Sequence, residues 1–118
     1  MPTILVADDS LFQRHLIGKI ARDLGFTVLE AKTGQECLNL AIQKTPDAIL
    51  LDLNMPEKTG FEVLQGLRDA GHRSPVIVLT ADIQETSRQR CLNLGVSDFL
   101  NKPVDETQLR SLLQGLHG

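Results

Sequence analysis

Five residues of this chain could do chemistry together if the fold brought them to one place: Asp8, Asp9, Asp52, Thr80 and Lys102. Each stands at or just beyond the end of a short apolar run: TILVA before Asp8-Asp9, AILL before Asp52, PVIVLT ending in Thr80, and DFL shortly before Lys102. Three carboxylates, a hydroxyl and an ammonium match what phosphoryl transfer requires: a nucleophile, ligands for a metal, a hydroxyl donor and a cation around spreading negative charge. Two adjacent carboxylates facing a third repel one another unless a cation sits among them, and hard oxygen donors without histidine or thiolate point to magnesium. Taken singly, each residue has a plainer explanation. Asp8 and Asp9 could favour the positive end of a helix, and Asp52 with Asn54 and Pro56 could be a turn. Thr80 could be an ordinary strand end, and Lys102 a solvated surface lysine. The signal is their convergence.

Convergence needs a scaffold, and the chain carries a rhythm that supplies one. A side-chain oxygen at a helix cap position is followed three residues later by Glu or Gln, a helix-start signal. It occurs at Ser10/Gln13, Thr33/Glu36, Thr59/Glu62, Asp82/Glu85 and Asp105/Gln108, at steps of 23, 26, 23 and 23 residues. A short apolar or β-branched segment precedes each cap: TILVA, FTVLEA, AILL, PVIVLT and DFL. The runs around residues 5, 50 and 77 lack alternation, as parallel strands covered on both faces do, while FTVLEA is mixed and suits an edge. Between them, helical spacing groups Phe12, Leu16, Ile17, Ile20, Ala21 and Leu24, then Cys37, Leu38, Ala41 and Ile42, then Leu109, Leu112, Leu113 and Leu116. Gly25 and Gly95 stand where a helix end needs a left-handed residue. Strand and helix alternating five times imply an α/β fold, a doubly wound parallel sheet, whose functional crevice lies outside the carboxyl ends of the strands.

The composition narrows the function. The 118 residues suit one domain. The net charge of -3 contains no block of like charge, which argues against direct nucleic-acid binding or a membrane-binding stripe. The apolar stretch at the amino terminus is too short for a signal-peptide core and no later run reaches transmembrane length, so the expected location is cytoplasmic. Cys37 and Cys91 have neither zinc-ligand spacing nor a disulfide pattern and read as packed thiols. His15, His72 and His117 have no evident nucleophile or metal partner.

The acidic pair Asp8-Asp9, LLDLNMP around Asp52, Gly60, the LTA of residues 79–81 and DFLNKP ending in Lys102-Pro103 together resemble the receiver domain of two-component response regulators. The resemblance covers about Thr3 to Leu116, so residues 1–118 are expected to form one receiver domain. It implies a flavodoxin-like strand order of 2-1-3-4-5 with five helices on two faces. By position, Asp52 resembles the phosphoryl acceptor. Asp9, Asp52 and the backbone carbonyl of Asn54 resemble ligands of Mg2+, with Asp8 assisting through water. Thr80, the Ala81 amide and Lys102 would hold the phosphoryl oxygens, Phe99 stands at the switch aromatic, and the bond from Lys102 to Pro103 would be cis. Two departures are visible: Lys58-Thr59 replaces a common Met-Asp, and Phe99 lacks the hydroxyl of the common tyrosine.

The resemblance implies a phosphorylation-switched monomer. It would take a phosphoryl group from a sensor histidine kinase or histidine phosphotransfer protein and catalyse only its own phosphorylation and dephosphorylation. A downstream protein effector of unknown identity would then read the surface of helix 82–94, strand 98–101 and helix 105–117. The rival is a small phosphatase of the haloacid dehalogenase type, which also uses a strand-end Asp, a hydroxyl, a lysine and magnesium. It needs a second Asp two residues after the nucleophile, where this chain has Asn54, and a nucleophile on the first strand. A flavodoxin-like cofactor binder would need a phosphate-cradling loop and stacking aromatics, which DDSLF does not provide.

Overall fold

In the computed structural model, residues 2–53, 55, 58–80, 85–102 and 104–117 are described, with 85–87 and 117 described for their backbone alone. Five strands and five helices alternate: β1 (Thr3–Ala7), α1 (Leu11–Asp23), β2 (Thr27–Ala31), α2 (Gly34–Lys44), β3 (Ala48–Asp52), α3 (Gly60–Asp69), β4 (Val76–Thr80), α4 (Glu85–Asn93), β5 (Asp98–Asn101) and α5 (Glu106–His117). The strands form one parallel sheet in the order β2-β1-β3-β4-β5. Fold class, strand order and the mixed β2 at an edge all agree with the expectation from sequence.

Strand alternation divides the core in two. Ile4, Val6, Leu50, Ile77, Leu79 and Leu100 pack with Ile17, Ile20 and Ala21 of α1 and Leu109 and Leu113 of α5. Leu5, Ala7, Ile49, Leu51, Val76 and Val78 face the other way, onto α2, α3 and α4 through Cys37, Ala41, Val63, Leu64, Leu67 and Cys91. Ile49, Leu50 and Leu51 are wholly buried between these layers. Each such side chain stabilises the fold by about 1.5–3 kcal/mol, and a one-residue slip of β3 would exchange their faces. The register that places Asp52 is therefore strongly specified.

The caps behave as their spacing predicts. Ser10, Thr33 and Thr59 accept from the backbone N–H of Gln13, Glu36 and Glu62, and Asp105 accepts from that of Gln108. Among the described residues, Thr59 and Glu62 complete the reciprocal box; the Glu36 carboxylate instead accepts from the Lys32 N–H. The Asp82/Glu85 signal lies outside the described residues. Gly25 and Gly95 adopt φ of 93° and 88°, in the left-handed region that glycine favours.

The helical groupings need three corrections. Phe12 is 77% exposed, and Ile42 and Leu116 are also exposed. The buried stripe of α1 runs through Arg14, Ile17, Gly18, Ile20 and Ala21. Phe12 lies two residues before Arg14, about 200° around the helix, and so points away from the sheet.

Candidate functional site

The register lines up the carboxyl ends of the strands. Ala7 pairs with Leu51, so Asp8 follows beside Asp52. Thr80 pairs with Asn101, and the Lys102 N–H donates to the Thr80 carbonyl at 3.0 Å. Continuing the alternation, Asp8, Asp52 and Lys102 leave the sheet on the face of Val6, Leu50 and Leu100. This explains why a lysine from one edge strand meets two aspartates from the central strands. Thr80 leaves β4 on the opposite face, that of Val76 and Val78, where Phe99 also packs.

Carboxylate oxygens of Asp8, Asp9 and Asp52 all lie within 4.8 Å of one another, with Asp8 and Asp52 buried and Asp9 exposed. Lys102 Nζ stands 3.0 Å from Asp8 Oδ2 and 3.0 Å from Asp52 Oδ2. Burial pulls the pKa of this ammonium down, but the Asp52 and Asp8 carboxylates more than reverse that, leaving it above the ordinary 10.5. Asp8 is fixed at every other polar atom. Its N–H donates to Ala31, its Oδ1 accepts from the Ser10 N–H, and its carbonyl accepts from Arg14 Nη1. Oδ2 is buried, and the partner it faces is the Lys102 ammonium at 3.0 Å. A buried carboxylate oxygen beside two further carboxylates fits a hard divalent cation.

The two ends of the loop after β3, Leu53 and Gly60, are drawn tightly together. The Gly60 N–H donates to the Leu53 carbonyl at 2.9 Å, and a Cβ at Gly60 would lie 2.7 Å from Leu53 Cα. A Cβ at Gly34 would lie 2.1 Å from the Lys58 carbonyl oxygen, so α2 also presses on this loop. Both glycines are present because backbone occupies the space of a side chain.

Of the residues expected from sequence, Asp8, Asp9, Asp52 and Lys102 come together, and Thr80 ends buried on the neighbouring strand. Phe99 lies half-buried on β5 with the Arg88 guanidinium 5.2 Å from its ring centroid. The Asn54 carbonyl, the Ala81 amide and Pro103 lie outside the described residues. Arg14 was not anticipated. Its signal was its position three and seven residues before Ile17 and Ala21, which puts a cation on the core-facing stripe and demands a buried partner.

A family profile described as the response regulator receiver domain matches residues 4–114. The chain is 36% identical over 121 residues to the transcriptional regulatory protein CpxR of Escherichia coli strain K12, covering 99% of this chain and 51% of that protein. It is 34% identical over 110 residues to the sensor histidine kinase RcsC of Salmonella typhi, covering 93% of this chain and 12% of the kinase. The chain thus spans about half of that regulator and a small part of that kinase. The chemotaxis protein CheY4 of Vibrio cholerae superposes with a TM-score of 0.91 at 30% identity, covering 98% of each chain. The profile match begins in β1 and ends within α5, so it takes in every strand that feeds the rim, and the chain belongs to the response regulator receiver domain family.

Proposed function

We propose that Asp52 accepts the phosphoryl group that switches this domain. The reading is carried by one observation: a single ammonium, Lys102 Nζ, lies 3.0 Å from each of two buried carboxylates at the end of a parallel sheet. A carboxylate oxygen of Asp52 forms a bond to phosphorus as the P–N bond of a phosphohistidine breaks, and the electron pair leaves with the imidazole nitrogen. Asp52 stands at the last position of a rigid strand, which aims the nucleophile while leaving it at the rim. Lys102 then neutralises phosphoryl oxygens, and the Thr80 hydroxyl and Ala81 amide donate to them. Asp9, Asp52 and the Asn54 carbonyl would hold Mg2+, with Asp8 assisting through water. Bound there, it would offset the negative charge that gathers on the phosphoryl oxygens. The chain acts only on itself, catalysing its own phosphorylation and dephosphorylation.

The family match disfavours the haloacid dehalogenase alternative. So do the position of Asn54, two residues after Asp52, and the placement of Asp52 on the third strand. Partners are a sensor histidine kinase or histidine phosphotransfer protein as donor and a protein effector as reader. That CpxR is a transcriptional regulator and RcsC a histidine kinase supports membership of such a relay.

The surface read by the effector is the one expected over residues 82–94, 98–101 and 105–117, whose described part is α4, β5 and α5. Of the described side chains of α4, only Cys91 is buried. Beyond that, Arg88 rests over Phe99, Arg90 lies 4.1 Å from the Phe61 ring centroid, and Arg68 Nη1 of α3 donates to the Asn93 carbonyl at the exposed end of the helix. Exposed cation–π contacts contribute about 0.5–1 kcal/mol each, so this element is held loosely enough to shift. Residues 81–84, which join it to Thr80, lie outside the described residues.

Intact-mass measurement after incubation with acetyl phosphate tests the acceptor. One phosphate is expected with magnesium and none without it, and an adduct at full yield in Asp52→Asn would overturn the assignment. Amide exchange with a beryllofluoride mimic tests the surface. Altered protection is expected across residues 85–101, and changes confined elsewhere would exclude it.

A further inference from the structure

We infer that Arg14 is a positioning residue for the acid pair, acting on the backbone between Asp8 and Asp9 rather than on the phosphoryl group. The inference rests on the cation reading given above. Arg14 is a charged side chain nine-tenths buried on α1, in a stripe otherwise made of Ile17, Gly18, Ile20 and Ala21. A guanidinium brought this far out of water costs several kcal/mol unless it is paired and hydrogen-bonded. Its Nη1 donates to the Asp8 carbonyl at 2.7 Å, and its Nε donates to Glu30 Oε1 at 3.3 Å. Glu30 is in turn paired with Arg22 at 3.5 Å. The guanidinium is therefore held by β2 and by its own helix, and the group it holds is the peptide that joins the two aspartates.

That peptide sets where Asp9 points. β1 ends at Ala7, so the Asp8 carbonyl is no longer part of the sheet ladder, while the Asp8 N–H still donates to Ala31. That N–H belongs to the preceding Ala7–Asp8 peptide, so the Asp8–Asp9 peptide plane is held at its carbonyl by the Arg14 contact. Asp9 is the exposed member of the cluster and has no burial to orient it. A planar fork suits this task because one nitrogen can hold Glu30 while another reaches the carbonyl, which a lysine ammonium does with less definition. Support of this kind around a metal ligand is worth about tenfold or more in metal affinity.

Calorimetric titration with MgCl2 of the wild type, Arg14→Met, Arg14→Lys and Glu30→Gln tests this, with melting temperatures and 15N amide shifts recorded in cation-free buffer. Arg14→Met is expected to weaken magnesium binding about tenfold or more and to shift the Asp9 and Ser10 amides before any cation is added. Arg14→Lys should recover part of both. Glu30→Gln keeps the guanidinium and should lower the melting temperature with less than about a threefold loss of affinity, well under the loss from removing the guanidinium itself. Undisturbed Asp9 and Ser10 amides in Arg14→Met overturn the inference. So does an affinity that falls in step with melting temperature across all three variants, since that describes a merely structural residue. A wild type that binds no magnesium overturns the cation reading instead, and the cation-free amide shifts still decide whether Arg14 holds the peptide.

Discussion

Lys102 sets the charge balance of the rim. With its ammonium 3.0 Å from both Asp8 and Asp52, it occupies the oxygens that a divalent cation would share. Lys102→Ala should therefore leave magnesium affinity unchanged or raise it, because removing a competing positive charge favours the cation. The same variant should lose the response to phosphorylation, since the phosphoryl oxygens then lack a charge-assisted partner. Asp9→Ala should do the opposite at the first step, losing magnesium binding outright or nearly so. Calorimetry on the two variants separates these roles, and an equal loss of affinity in both would show that Lys102 holds the cluster together instead.

At the scale of elements, α1 presents two different surfaces. Its inner stripe carries Arg14 and the core side chains, while Leu11 and Phe12 stand 59% and 77% exposed at its first turn, immediately after the acid pair and Ser10. Adjacent exposed apolar side chains beside a site mark a surface where a partner can bury them. Phe12→Ser should change stability by no more than about 0.5 kcal/mol, as exposed substitutions do. It should slow phosphoryl transfer from a phosphohistidine protein and leave transfer from acetyl phosphate unchanged. Parallel rate measurements with the two donors check this; equal slowing with both would place Phe12 in the chemistry rather than in docking.

The whole molecule should weaken in alkali, with a predictable sign. Burial, with a smaller contribution from Glu36, pushes the Cys37 thiol up from 9.0 to about 12. Above pH 9 the unfolded chain releases this proton while the folded chain keeps it, so stability falls as pH rises, by about 1.4 kcal/mol between pH 8 and 10. Lys102 adds to the same trend at higher pH. Its raised native pKa gives a contribution that is complete below 10.5 and lost as pH rises through the native value. Urea unfolding at pH 8 and pH 10 measures the drop. Cys37→Ala should be less stable at neutral pH, because its cavity replaces a buried sulfur, and should show a shallower fall. An identical slope in both proteins would assign the alkaline loss to other groups.

Period and chemistry along the chain by themselves determined the alternating elements, the edge position of β2, four of the cap contacts and the rim to which Asp8, Asp9, Asp52, Thr80 and Lys102 are delivered. These are local properties: continuous apolar runs, cap oxygens three residues ahead of Glu or Gln, and strand ends marked by a change from apolar to acidic. What lay beyond the sequence were facts about faces and facing partners. Phe12, Ile42 and Leu116 were grouped with core residues because a helical pattern shows which residues share a side, not where a short helix's buried arc begins and ends. Phe12 and Arg14 differ by two positions, yet one is exposed and the other buried. Only the sheet register placed Asp8, Asp52 and Lys102 on one face and Thr80 with Phe99 on the other. Only the packing of α1 over β1 and β2 brought Arg14 to the Asp8 carbonyl and Glu30, residues 6 and 16 positions away along the chain. The physical reason is that a buried charge is tolerated only where the fold supplies its partners, and those partners come from strands and helices whose adjacency no local pattern records.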